Sequence, residues 1–343
     1  MIDTKKSNSY LYTFDLLKFI AAIIVALLHY NWEIVPQGYL CVEFFFIING
    51  MMIAKGYKKL LNTSCIDIIK SKLSNIYLYY IIILLLTIIY QEGKVSILDI
   101  FKYLFFYQYL GLAENNLPFW QIWYIAIYLI VSIFYVLIIK IFQSKYVYIT
   151  IIISITLLIN MYNLTEYHSI NMTYEITLFG LPFGMVRGIV GIGVGIIVQN
   201  IADKCRIIRK PLKNFSILVE LILCILLFSI FIKKPVTTEG DFISYVLISI
   251  LLLSLSLKSN FISFKLDAFL SNNVCSFILS LSLPIYIFHT VVIRFFDKYN
   301  TILSGGDNPL YYIIIVLLVS IVGKLIHDYI VLVFKKINNK LMI

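Results

Sequence analysis

Charged residues are scarce. Asp, Glu, Lys and Arg make up only 13% of the 343 positions, while 61% are hydrophobic and the mean hydropathy is +0.93. A soluble domain carries about a quarter charged residues and close to half apolar ones, so that class is excluded, together with disordered and collagen-like chains. Cysteines are few and scattered. Cys41, Cys65, Cys205, Cys224 and Cys275 form no CxxC pair, and no His stands at ligand spacing from them. Neither a disulfide frame nor a zinc site follows, and no metal site is expected. The glycine-rich stretch around Gly188 lacks the Lys-Ser/Thr ending of a phosphate loop, and no internal repeat is visible. The net charge of +10 sits beside hydrophobic runs, so it points to anchoring at a membrane and not to nucleic acid.

Long apolar runs are what the chain has in plenty. They fall at roughly Phe14–Trp32, Leu40–Ala54, Ile76–Tyr90, Phe119–Ile139, Val147–Tyr162, Ile176–Val198, Phe215–Ile232, Phe242–Leu257, Val274–Ile293 and Leu310–Phe334. A crossing needs about 20 residues, so the second, third and eighth are short. The pattern predicts an all-α polytopic membrane protein with about ten transmembrane helices, forming a single domain over residues 1–343. Ile97–Leu110, interrupted by Asp99 and Lys102, is expected to be interfacial or re-entrant. With the N-terminus inside, nineteen of the 28 Lys and Arg lie in cytoplasmic segments, six lie outside, and Lys18, Arg187 and Lys324 lie within spans. That asymmetry places both termini in the cytoplasm. The loop Asn163–Glu175, which holds His168, has no Lys or Arg, as an external loop should. Asp15 and Lys18 interrupt the first run and no small-residue cleavage site follows it, which argues against a cleaved signal peptide.

Ionisable groups inside a membrane are costly, about 2.5–3.5 kcal/mol each at mid-bilayer on insertion scales, and so they point to function. Lys18 and His29 are eleven positions apart. On a helix that is close to three turns, which puts both on one face about 16 Å apart and suits a polar path through much of the bilayer. The bland alternative is a snorkelling Lys18 and an interfacial His29. Glu43, beside three Phe residues in the second run, is placed to orient His29 if the first two helices pack together. A structural hydrogen bond between helices is the alternative. Arg187, inside the stripe Gly180, Gly184, Gly188, Gly191 and Gly195, needs a carboxylate or an anionic ligand, and the stripe itself suits close helix packing. Alone, His289 reads as interfacial, and Lys324, His327 and Asp328 mark a membrane boundary.

These residues resemble the integral-membrane acyltransferase family known as acyltransferase 3. FDLLKFIAAIIVALLHY supplies Asp15, Lys18 and His29 in the register of its opening motif. CVEFFFIINGM is similar to its second-span motif, with Glu43, Phe45 and Gly50 in place, Cys41 where the family has Gly and Asn49 where it has Ser. KSKLSNIYLYY matches a third motif at Lys72 and Tyr80, with Asn75 and Leu78 replacing its second Arg and its Pro. PFWQIWYIAIYLI and LSLPIYIFHTVVI, the latter with Tyr286 and His289, resemble the fourth span and the late Tyr-x-x-His motif. The resemblance implies transfer of an acyl group, usually acetyl, from cytoplasmic acetyl-CoA to a hydroxyl of a cell-surface polysaccharide or its lipid-linked precursor. It implies His29 as general base oriented by Glu43, and Lys18 and Lys72 as attracting the anionic donor; Arg187, as a charge within a span that needs a partner, is expected to join them as a donor contact. Asp15, Asn49, Tyr286 and His289 are left structural or substrate-positioning roles. No permanently bound cofactor and no nucleic acid are expected, and membrane lipids are. The excess of Lys over Arg, 24 to 4, points to an A/T-rich bacterial genome, and a multi-pass protein of the bacterial cell (inner) membrane is expected. An exporter or flippase for a glycan, without transferase activity, is the competing reading; a glycan polymerase would normally show a larger external loop.

Overall fold

The computed structural model describes residues 12–91, 94–106, 123–164, 170, 180–208, 213–233, 238–257, 261–299 and 308–341. The described residues form fourteen α-helices. They are α1 (Tyr12–Tyr30), α2 (Leu40–Lys55), α3 (Tyr57–Asn62), α4 (Cys65–Tyr90), α5 (Ile97–Leu104), α6 (Trp123–Phe142) and α7 (Tyr146–Leu164). The second half adds α8 (Phe183–Ile208), α9 (Lys213–Phe231), α10 (Thr238–Ser256), α11 (Phe261–Leu270), α12 (Asn273–Leu279), α13 (Ser282–Tyr299) and α14 (Pro309–Leu341). Polar residues mark the starts: Ser64, Ser96 and Asn272 accept from the backbone N–H groups of Asp67, Asp99 and Cys275, filling donors that the first helical turn leaves open. The expected external loop with His168 lies almost wholly outside the described residues, as does the start of the expected fourth span.

Five stretches are long and apolar enough to cross a membrane, or up to seven if each of two bent pairs counts as one span. The chain is thus an all-α polytopic membrane protein. The sequence pattern gave about ten crossings, and the difference has identifiable causes. α2 has only 16 residues, and the apolar part of α9, Leu218–Phe231, falls in the short class. The apolar stretch Trp123–Tyr162 counts once but holds both α6 and α7. Tyr135 of α6 and Ser154 of α7 converge on Gly193, so the two helices fold back at Gln143–Lys145, where Gln143 takes a left-handed φ of 44°. Large apolar side chains such as Ile152, Phe228 and Leu318 stay exposed, which suits contact with lipid tails.

The bundle is centred on α8, whose apolar stretch is 78% buried against 22% for α14. α8 packs most intimately on α2. A methyl group on Gly50 would run into the carbonyl of Ile192, one on Gly195 into the carbonyl of Ile47, and one on Gly191 would stand 2.6 Å from Phe46 Cβ. The stripe therefore gives close packing on α2 at Gly191 and Gly195, with backbone touching backbone at Gly195 and Gly50, whereas Gly180 at its start meets nothing within 4 Å. At the start of α1, the Thr13 amide and hydroxyl donate to Asp267 Oδ1 at 2.7 and 2.6 Å, so α11 sets a carboxylate on the positive end of the α1 dipole.

Candidate active site

α1 presents Asp15, Lys18 and His29 as its spacing predicts, with Lys18 Nζ paired to Asp15 Oδ1 at 2.6 Å. α13 lies alongside it. Lys18 and Ser282 line one cavity, and His29 stacks on His289 further along, so the two helices run in the same direction. The stretch from Lys18 to His29 is about 16 Å and that from Ser282 to His289 about 10 Å along their axes.

The cavity at the Lys18 level has a volume of about 170 Å3. Besides Lys18 and Ser282 it is lined by Phe45 and Asn49 of α2, Tyr124 and Tyr128 of α6, and Tyr286 of α13. Asn49 Nδ2 donates to the Tyr124 hydroxyl at 2.8 Å. Lys72 reaches the same wall from α4: its Nζ donates to the Tyr128 hydroxyl at 3.3 Å and stands 5.0 Å from the ring centroid. Because Asp15 neutralises Lys18, Lys72 supplies the net positive charge; it meets no carboxylate among the described residues. Four residues singled out from scattered motifs, Lys18, Asn49, Lys72 and Tyr286, thus belong to one place. Tyr124 and Tyr128 were missed, although their i, i+4 spacing in the fourth-span motif puts them on one helix face. Their rings lie 6.3 Å apart and nearly parallel.

Next to this cavity sits the imidazole pair. Tyr286 turns its ring edge-on to His289, with centroids 5.8 Å apart, and His289 stacks on His29 at 5.2 Å with 9° between planes. His289 is fully buried. Its Nδ1 lies 3.3 Å from the Ile285 carbonyl, which can only accept, so the proton sits on Nδ1 and the lone pair on Nε2. That Nε2 is buried and has no hydrogen-bond partner among the described residues. His289 was expected as a positioning residue near an external interface; the tertiary packing instead places it inside the bundle against His29.

Glu43 does not orient His29. Its Oε1 accepts from Arg187 Nε at 2.6 Å, with a terminal guanidinium nitrogen in ion-pair contact at the same distance, and its Oε2 accepts from the Tyr245 hydroxyl. Glu43 and Arg187 are 0% and 1% exposed, and the guanidinium lies 5.0 Å over the Trp123 ring. Arg187, expected to contact the donor, spends its charge on Glu43 at the α2–α8 seam, away from the walls of the Lys18 cavity. The cause is azimuthal: Glu43 and Asn49 share α2, but their side chains leave it towards different neighbours. Asp241 of α10 extends the network, accepting from the Tyr39 hydroxyl at 2.6 Å and the Ile170 amide at 2.9 Å.

A family model described as an acyltransferase domain, that of acyltransferase 3, matches residues 11–328, nearly the whole chain. The chain belongs to this acyltransferase family. No curated protein and no solved structure matches it. Membership in the family makes the chain an acyltransferase-type enzyme, and its long apolar helices embed it in a membrane.

Proposed function

We propose that the chain moves an acetyl group from acetyl-CoA, entering at the Lys18 cavity, to a hydroxyl of an envelope polysaccharide or its lipid-linked precursor, in a bacterial cell membrane. The observation that carries this reading is the adjacency of a cation-bearing cavity and a stacked imidazole pair on the same two helices. Lys72, with Lys18 beside it, draws the phosphates of CoA to the mouth. Asn49, Tyr124 and Tyr286 flank the arm. His29 takes the proton of the acceptor hydroxyl; the alkoxide oxygen attacks the thioester carbonyl, the C–S bond breaks, and the imidazolium returns its proton to the departing thiolate. General-base assistance of this kind contributes about 10²–10⁴ in rate. Glu43 and Arg187 hold α2 on α8 and keep the Asn49 wall in place, and Asp15 holds Lys18.

The test is transfer of label from acetyl-CoA to a glycan fraction by the purified chain in lipid discs. Label should move with the parent protein and be lost in Lys18→Ala and His29→Ala. Glycan movement across the disc or vesicle without any label transfer would replace this reading with an exporter.

A further inference from the structure

The helices that carry the Lys18 cavity hold a second polar cavity at their other ends. It has a volume of about 510 Å3, and among the described residues Tyr90, Gln91, Lys94, Asp99, Tyr103 and Lys298 supply its polar lining. α4 gives Lys72 to the first site and Tyr90 to the second, about 27 Å further along the helix, which bends by 46° between Ser74 and Ile76. α13 gives Ser282 to the first and Lys298 to the second, with His289 between them. Along α13 the imidazoles stand about 10 Å beyond one site and about 13 Å short of the other. The two cavities and the histidines therefore follow one line along the bundle.

The walls of this second cavity are tied down. The Tyr77 hydroxyl donates to the Leu104 carbonyl at 2.9 Å and the Tyr80 hydroxyl to the Tyr103 carbonyl, fastening α5 to α4. Lys298 Nζ donates to the Tyr90 carbonyl at 2.7 Å and stands 4.9 Å over its ring, closing the α13 end. α5 exposes Ile97, Leu98 and Phe101, while Asp99 and Tyr103 face the cavity. A helix with one apolar exposed side and one polar side lies at a bilayer surface, which puts the cavity there too. The Ser96 hydroxyl, donating at 2.7 Å, holds the Asp99 carboxyl below the usual carboxylate range, so it faces the cavity as an ionised acceptor.

Phenol rings, an amide, a carboxylate and ammonium groups around one space offer both donors and acceptors beside flat apolar faces. That is the chemistry of a sugar: rings of C–H on the faces and hydroxyls at the rim. A lipid tail would leave these polar groups unsatisfied. We propose that this cavity binds a saccharide, the portion of the acceptor that lies next to the sugar being acylated. The inference rests on the acyl-transfer reading above and assigns the place where its acceptor is held. Because the cavity lies more than two helical turns beyond the imidazoles, one ring cannot serve both places, and the acceptor is an oligosaccharide.

The probe is the oligosaccharide fraction released from the host's own envelope glycan and freed of esters by mild alkali. Saturation-transfer NMR on the full chain in lipid discs should show binding, reduced about fivefold or more in Gln91→Ala and in Asp99→Ala, as loss of one hydrogen bond of about 1 kcal/mol requires. Equal signals from parent and both variants overturn the site, as does no signal from the parent. As a check that does not depend on folding of those variants, Gln91→Cys and Lys94→Cys are treated in the host with a membrane-impermeant thiol reagent. Ester content of the envelope glycan should then fall with the reagent in these variants and stay level in Glu33→Cys, on the exposed turn after α1. Unchanged esters in the two blocked variants overturn the proposal. Deletion of the whole chain without loss of envelope esters, while saccharide binding persists, sinks the acyl-transfer reading and leaves the binding site standing.

Discussion

Replacing Arg187 with Met removes the cation from a carboxylate that has no water around it. Glu43 Oε1 loses two contacts of 2.6 Å and keeps only the Tyr245 phenol on its other oxygen, at 0% exposure. Breaking a buried pair from one side costs about 3–5 kcal/mol, because the remaining charge stays desolvated. Removing both charges, in Glu43→Leu with Arg187→Met, takes away the reason for the cost, and such hydrophobic double replacements are close to neutral in folding energy. The expected coupling is therefore about 3 kcal/mol or more, several times the error of additivity for independent sites. At about 2–4 °C per kcal/mol, the single variant should unfold roughly 6–20 °C lower, measured by thermal unfolding in one detergent at one scan rate. The double variant should recover most of that loss and, since Glu43 touches neither imidazole, most of the acyl transfer as well. A double variant as unstable as the single would refute the energetic reasoning. A Glu43→Gln protein of parental stability with transfer abolished would refute the structural role and return Glu43 to the chemistry.

Three further outcomes follow from the packing. His289→Ala removes the ring stacked on His29, and should lower kcat about tenfold, in line with an aromatic contact of about 0.5–1.5 kcal/mol, with the KM for acetyl-CoA within about twofold; His289→Phe should restore most of it, and a Phe variant as slow as Ala would mean that the buried Nε2 itself handles a proton. Lys72→Ala should raise the KM for acetyl-CoA more than it lowers kcat, with Lys72→Arg near parental and the difference shrinking at high salt; an unchanged KM moves the donor elsewhere. Gly195→Ala pushes a methyl into the Ile47 carbonyl and should cost about 1–3 kcal/mol in the same unfolding assay, whereas Gly56→Ala, whose nearest neighbours are ordinary contacts, should cost less than about 1 kcal/mol; equal effects would mean that the α2–α8 seam yields easily.

Much of the candidate site is local, and what is local is legible. The Lys18–His29 spacing, the i, i+3 pair of Asp15 with Lys18, the i, i+4 tyrosines of α6 and the glycine stripe of α8 all follow from 3.6 residues per turn. The expectation that Ile97–Leu110 is an interfacial or re-entrant piece and not a full span likewise rests on two charges set against apolar neighbours, and its described part holds only the eight-residue helix α5. Partnerships between distant segments are different. Glu43 could be assigned to His29 from sequence because both are polar groups in apolar surroundings, yet its partner stands 144 positions away in α8. His29 and His289 come from opposite ends of the chain, and nothing in either motif announces that their rings meet.

By itself, then, the amino-acid order determined that this chain is helical, lives in a bilayer, and carries its cations and imidazoles on particular helix faces, since those properties depend on composition and on the pitch of one helix. Which faces meet was decided only in the tertiary structure. In water, polarity would mark the outward side of each helix; in lipid, a segment such as α2 is apolar nearly all round, so the choice of neighbour falls to small-residue contacts and buried hydrogen bonds that no single segment contains.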